Sequence, residues 1–318
     1  MIGEFDLISK YFKPLAGNAE ALGLTDDAAL LDVPTGKQLV VTTDMLVADV
    51  HFLADDPPET IAAKLLGVNL SDLAAMGAAP HGHTVALALP KTIDEDWVAS
   101  FAAGLGEAQS SFGSDLLGGD TVATSGPLTL SLTALGVVAP EKALRRDQAQ
   151  VGDHVFVSGP LGDAAAGLDV LQHGTAGLSE AHAAYLADRY RRPTPRLALG
   201  QALGGSARCA ADISDGLVAD LAHICRASGV SAQLRLQDIP LSGAFRAWRA
   251  TGKGTETLPL TGGDDYELVV CGPADLSDRV SRDLIDVGHI VARDAEPVQV
   301  FDQQGRLVPV SNAGFRHF

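Results

Sequence analysis

Apolar residues return at helical spacing at Phe5, Ile8 and Phe12, which predicts a short amphipathic helix before a loop over 17–25 that carries Gly and Asn. The run QLVVTT at 38–43 predicts a strand. Ile61, Leu65, Val68 and Asp72 then recur at spacings of three and four in an Ala-rich stretch. They predict a helix over 59–77, stopped by Gly77 and Pro80, with Asp72 on or near its apolar face. A strand over 83–89 ending at Pro90, a helix over 94–112 and a strand in PLTLSLTALGVV at 127–138 complete the first half. The polar segment EKALRRDQAQVGD at 141–153 marks a domain boundary. Beyond it the pattern predicts a strand in HVFVSG at 154–159, an Ala-rich helix from 163 and a helix over 179–190. RRPTPR at 191–196 interrupts the pattern, and helices over 196–204 and 216–228 alternate with strands over 232–236 and 266–271. The fold class is therefore α/β (α+β) in two domains, residues 1–140 and 150–318.

Composition adds limits. With 318 residues there is room for two cores, and a net charge of −17 argues against nucleic acid as a partner, which needs a basic face. Anionic small molecules remain compatible with it, because bound cations reverse the local field. Cys209, Cys225 and Cys271 form no CxxC pair, so neither a disulfide framework nor a zinc site is expected, and the thiols are read as buried apolar residues in a reducing compartment. The start MIGEFDLISKYF does not have the pattern of a signal peptide, and no apolar run reaches the roughly 18 residues of a membrane helix. A cytoplasmic location is the expectation.

The chemistry lies in acids set among apolar residues or glycines: TDDAAL at 25–30, TTDMLVADVHF at 42–52, NLSDLAAMG at 69–77, GGDT at 118–121, DISDGL at 212–217 and GGDDYEL at 262–268. A carboxylate in such surroundings is costly to bury without a cation, and Lys and Arg are scarce near all six. Hard divalent ions with oxygen ligands answer this, which points to a magnesium-dependent enzyme acting on phosphates. In a strand Thr42 and Asp44 share one face. His51, near the strand's exit, reads either as a phosphate contact or as an ordinary histidine. Asp72 reads as a cation ligand or as a helix residue bonded locally. Each Gly-Gly-Asp reads as a bare backbone beside a phosphate or as an ordinary turn. In DISDGL, capping of the next helix accounts for one of Asp212, Ser214 and Asp215, not for all three. There is no GxxxxGK[ST] loop, kinase HRD and DFG pair, HExxH or GxSxG.

In order and separation these segments closely resemble the thiamine-monophosphate kinases, within an ATP-using superfamily that includes aminoimidazole ribonucleotide synthetase. The resemblance spans nearly the whole chain. It implies magnesium-dependent transfer of the ATP γ-phosphoryl group to thiamine monophosphate. It implies a homodimer joined through the N-terminal sheets, and a sandwich-like C-terminal domain that completes the active site. By resemblance, Asp27, Thr42, Thr43, Asp44, Asp72, Asp120, Asp212 and Asp215 are magnesium ligands. Gly119, Asp120, Arg146 and Ser214 contact the nucleotide, and His51, Asp264 and Phe315 contact thiamine phosphate. The family usually has Glu where Asp264 stands, and often Tyr or Trp where Phe315 stands. Superfamily relatives with a reactive Cys near either terminus fit less well, since residues 13–25 and the ending GFRHF have none. A non-catalytic metal binder would not need Gly-Gly before two of its acids. Arg191, Arg192 and Arg196 read as helix-end caps or as residues near the ligand cleft, with capping favoured.

Overall fold

A computed structural model describes residues 4–175, 177–310 and 314. The chain divides into two compact units, one of residues 1–73 and 78–140, the other of residues 74–77 and 141–318.

The first unit opens with α1 (Glu4–Leu7), one five-residue π turn over Ile8–Phe12 and a 3-10 turn over Lys13–Leu15. The short helix expected through Phe5, Ile8 and Phe12 is thus present, widened to a π turn in its second half, and Pro14 keeps it from continuing. Leu7 and Phe12 are buried, whereas Phe5 is exposed. There follow β1 (Gln38–Val47), α2 (Pro58–Ala75), β2 (Ala79–Pro90), α3 (Glu95–Phe112), β3 (Asp115–Thr124) and β4 (Thr129–Val138). The side chain of Asp94 caps α3 by accepting the Trp97 amide, and Gly113 in the left-handed region ends it. The four strands run in the order β1-β4-β2-β3, with β4 antiparallel to both neighbours and β2 parallel to β3. Alternate residues of β4, Leu130, Leu132 and Ala134, are fully buried. This period of two gives the sheet one core face.

The second unit contains β5 (His154–Val157), α4 (Asp163–His173), α5 (Glu180–Arg191), α6 (Leu197–Leu203), β6 (Cys209–Asp212), α7 (Leu217–Ser228) and β7 (Ser231–Arg235). It continues with α8 (Gly243–Ala250), α9 (Leu258–Thr261), β8 (Leu268–Gly272), α10 (Leu276–Arg279), β9 (Ile285–Val291) and β10 (Val298–Phe301). Its six strands run in the order β10-β7-β9-β5-β8-β6. One buried apolar cluster takes in Val157, Leu221, Val269 and Ile290, and a second packs Phe245 and Trp248 of α8 with Leu186 of α5. The three thiols are free and buried, and Cys209 sits opposite Cys271 in the β6/β8 ladder. Among the described residues no helix is long and apolar enough to cross a membrane.

Arg196 stands at the N-cap position of α6, but its side chain does not cap the helix and turns instead to a buried carboxylate. It donates two bonds to Glu267, at 2.7 and 2.5 Å. Arg189 and the Ser158 hydroxyl donate to the same buried carboxylate, at 3.1 and 2.5 Å. Arg192 forms an exposed pair with Asp188, four residues earlier on α5.

Candidate functional site

Thr42 and Asp44 lie on the core face of β1, and the hydroxyl of Thr42 donates to Asp72 of α2 at 2.5 Å. The amide of Asp44 donates to the side chain of Asn69, which in turn donates to the Leu65 carbonyl. Burial and the charge of Asp72 together push the Asp44 carboxyl up to about 6. Two carboxylates and a hydroxyl are thereby gathered at one place between strand and helix. Thr43 points to the other face, where its hydroxyl donates to the Leu132 carbonyl and accepts from Thr133.

The first Gly-Gly-Asp is not a turn. Gly118, Gly119 and Asp120 lie inside the edge strand β3, opposite Thr84, Val85 and Ala86 of β2. Glycine at 119 is a steric requirement, since a Cβ there would stand 2.0 Å from the Val85 carbonyl oxygen. The register sets Asp120 in the row of Ala86 and Ser131, and Asp44 in the row of Leu132 and Val85. Strand alternation then puts Asp120 and Asp44 on opposite faces of the sheet. Asp120 instead joins Asp27. Both line a cavity of about 480 Å³ with Asp26, Gly118 and Gly119, walled on its apolar side by Ile8, Phe12 and Leu87. The loop bearing Asp26 and Asp27 is pinned by Glu20, whose carboxylate accepts from the Asp32 amide and pairs with His81 at 2.6 Å.

His51 follows β1 in a tight loop. Its amide returns to the Val47 carbonyl, and its ring Nδ1 accepts the Val47 amide at 3.1 Å. The neutral ring therefore carries its proton on Nε2, which makes that nitrogen a donor. Asp49, with φ of 62°, accepts the Ala54 amide, and buried Asp56 accepts the Leu53 amide.

The second unit brings its own set together. Asp212 ends β6, and residues 213–216 turn into α7. The Ser214 carbonyl accepts the Asp264 amide at 2.8 Å, and the Ile213 carbonyl accepts the Tyr266 amide at 2.9 Å. The DISDG and GGDDY segments therefore lie side by side. Here too glycine is needed for the close approach, because a Cβ on Gly263 would stand 2.6 Å from the Ser214 carbonyl oxygen. Asp264 and Tyr266 both hold left-handed backbones, with φ of 67° and 49°, and the Tyr266 hydroxyl donates to Asp264 at 3.3 Å. Asp265 faces inward, accepting the Gly162 and Ala164 amides, and burial pushes its carboxyl up to about 8. Arg146 is close enough for its charge to act on Asp220 and His223 of α7, and its carbonyl accepts the Ser228 hydroxyl. Gly314 lies against the same turn, where a Cβ would stand 2.7 Å from the Asp215 carbonyl oxygen. Phe315 lies outside the described residues.

Among the described residues, no group of three or more His, Cys, Asp and Glu side chains is arranged to hold a metal ion. The pair Asp44 and Asp72 with Thr42 nevertheless fits a hard cation of the magnesium type. Such an ion takes one or two carboxylates and fills its other positions with phosphate oxygens and water. Sequence reading passed over Asn69, Glu20 and Asp220, which hold the acids in place. The signal available for Asp220 was its spacing of five from Asp215, short enough to fold back on the helix start.

Residues 25–138 match the AIR synthase related protein N-terminal domain, and residues 150–294 match the C-terminal domain of the same name. The thiamine-monophosphate kinase of Haemophilus influenzae is 39% identical over 100% of this chain and 98% of its own length. The crystal structure of thiamine-monophosphate kinase from Stenotrophomonas maltophilia K279a is 41% identical, covers 96% of this chain and 98% of that one, and superposes with a TM-score of 0.83. The structure of AaThiL complexed with AMPPCP and TMP is 32% identical, covers 99% of this chain and 97% of that one, and gives a TM-score of 0.81.

Proposed function

The chain belongs to the thiamine-monophosphate kinases of the AIR synthase related family, and we infer that it transfers the γ-phosphoryl group of ATP to thiamine monophosphate, giving thiamine diphosphate and ADP. The observation that carries this reading is full-length similarity to kinases of that name, one relative having been solved with AMPPCP and TMP.

Phosphoryl transfer between two anions asks chiefly for positioning and charge neutralisation. We propose several magnesium ions as the cations, with Thr42, Asp44 and Asp72 on the core face of β1, and Thr43, Asp27 and Asp120 away from that face, as ligands in the first unit, and Asp212 and Asp215 as ligands in the second. Magnesium, when bound, would supply neutralisation of phosphate charge. The chain supplies the rest. Gly119 offers a strand backbone without a side chain beside Asp120, and Arg146 and Ser214 offer donors for the nucleotide. Nε2 of His51, fixed as the donor by the Val47 amide, is suited to an oxygen of the acceptor phosphate. Asp264, with Phe315, is assigned to the thiamine moiety, whose cationic thiazolium complements a carboxylate. Transfer is direct and in line, because the acceptor is already an anion and needs no covalent relay.

The test is thiamine diphosphate formation from thiamine monophosphate and ATP, with and without magnesium, followed by chromatography. Magnesium-dependent product with matching ADP is expected. A folded, ATP-binding protein that makes none would overturn the acceptor assignment.

We also propose that the chain acts in the cytoplasm, where ATP is supplied and its buried thiols stay reduced. We assign it a homodimer joined through the N-terminal sheet. Support comes from the outer face of that sheet, where Val41 and Met45 of β1 and Val122 of β3 are exposed. Light scattering is expected to give twice the chain mass of 32.9 kDa, and the single-chain mass would refute the dimer.

A further inference from the structure

Asp220 lies in the first turn of α7, is 4% exposed, and is not among the residues assigned to a ligand above. One of its carboxylate oxygens accepts the amides of both Asp215 and Gly216, each at 3.1 Å. Its own amide donates to the Gly216 carbonyl at 3.0 Å, so the residue closes the turn from both sides. Gly216, with φ of 128°, is a backbone that only glycine adopts readily, and a Cβ there would stand 2.9 Å from the Thr261 carbonyl carbon. The turn therefore needs glycine at 216, and the side chain of Asp220 bonds to its two amides.

What the turn carries gives this a functional meaning. Its Ser214 and Asp215 are the residues proposed above for the nucleotide and its cation. Its Ile213 and Ser214 carbonyls hold the amides of Tyr266 and Asp264. Left-handed residues other than glycine cost of order 1 kcal/mol each and persist only where the surroundings fix them. Asp264 and Tyr266 are two such residues, two positions apart, and the turn supplies the backbone acceptors that fix them.

We propose that Asp220 is a positioning residue that sets the nucleotide-side and acceptor-side contacts of the second unit together, by locking the Ser214–Gly216 turn against which Asp264 is registered. It touches neither substrate and acts through these backbones. The inference rests on the kinase reading above. A wild-type protein without thiamine-monophosphate kinase activity sinks that reading, whereas the variants below judge only Asp220.

The experiment is a double-mutant cycle with Asp220→Asn and Asp264→Ala, reading KM for thiamine monophosphate, KM for ATP and the melting temperature. Asp220→Asn keeps the shape of the side chain and leaves the two amides a neutral amide oxygen, a weaker acceptor than a carboxylate. Both KM values are expected to rise by about tenfold or more, the usual scale for residues that support direct ligands, with little change in melting temperature. The effect on thiamine monophosphate is expected to be less than multiplicative with that of Asp264→Ala, because both act through one backbone unit. Unchanged KM values, or fully multiplicative effects, would overturn the proposal. Hydrogen exchange on the wild-type protein gives a reading that needs no variant: the Asp215, Gly216, Asp264 and Tyr266 amides are expected to open together. Independent opening of the two pairs would also overturn it.

Discussion

Asp72→Asn is expected to lower turnover by roughly two to three orders of magnitude, the scale on which removal of a preorganised electrostatic group slows an enzyme, with the protein as stable as the parent or more so. The two halves of this result come from the same geometry. Asp72 receives the Thr42 hydroxyl and sits near Asp44, whose carboxyl is pushed up to about 6 by burial and then by the charge of Asp72. A raised carboxyl in the folded state means that folding takes up protons. The stabilisation is complete below the ordinary value near 3.8 and is lost as pH rises through about 6. At neutral pH, without a cation, the pair repels itself, and the neutral carboxamide of the variant relieves that repulsion while still accepting from Thr42. With magnesium and nucleotide bound as proposed, the same pair would take part in neutralising phosphate charge, and a carboxamide would not replace it. Steady-state kinetics at saturating magnesium, set beside melting curves at pH 5 and pH 7.5 in the chelated protein, check both halves. Near-normal turnover would remove Asp72 from the cation site. A lower melting temperature at pH 7.5 would show that the carboxylate was stabilising the fold instead.

The periods of the chain were enough to anticipate β1, α3 and β4, which each favour one face, and α2, whose long Ala- and Leu-rich run is buried nearly all round. β3 was not legible. Its sequence, DLLGGDTVAT, reads as a turn by composition, and its second glycine is explained only by the Val85 carbonyl lying against Gly119, a contact between strands far apart in sequence. β9 and β10 were missed for a related reason: short strands with partly exposed faces carry little periodic signal. At the site, the acids could be picked out because each sits among apolar residues, but their grouping could not. Thr42, Asp44 and Asp72 converge across a strand and a helix, while Asp120 falls on the opposite face of the same sheet and joins Asp27 at a cavity. A register shift between His83 and Thr84 of β2 contributes to that placement, and no local pattern announces it. The roles of neighbouring acids in GGDDYEL were likewise hidden. Asp264, Asp265 and Glu267 differ in sequence position by three or fewer, yet one is half-buried beside a tyrosine hydroxyl, one caps a buried turn, and one binds two arginines.

That last residue carries the largest expected effect on stability. Glu267→Ala should destabilise the second unit by about 3–5 kcal/mol, the usual cost of removing one partner from a buried ion pair. In a unit of this size that is a fall of roughly 10 °C in melting temperature. The carboxylate is 1% exposed and accepts from Arg196, Arg189 and Ser158 at once, so its removal leaves two guanidinium groups without their main partner and a cavity beside Gly159. Arg189 keeps one bond, to the Asp265 carbonyl, which limits the loss. Glu267→Gln keeps the shape and some of the hydrogen bonds but not the charge, and should fall between the parent and the alanine variant. Trp248 lies in the second unit and Trp97 in α3 of the first, so urea unfolding followed by fluorescence in a Trp97→Phe background reports on the affected unit alone. Because the Glu267 carbonyl accepts the Ile213 amide at 2.7 Å, the loosened strand also reaches the turn that holds Ser214 and Asp215. Activity should therefore fall in Glu267→Ala below its own melting transition, through higher KM values. If the alanine variant unfolded at the parental urea concentration, the Arg-Glu-Arg cluster would be a solvated pairing with no part in holding the site.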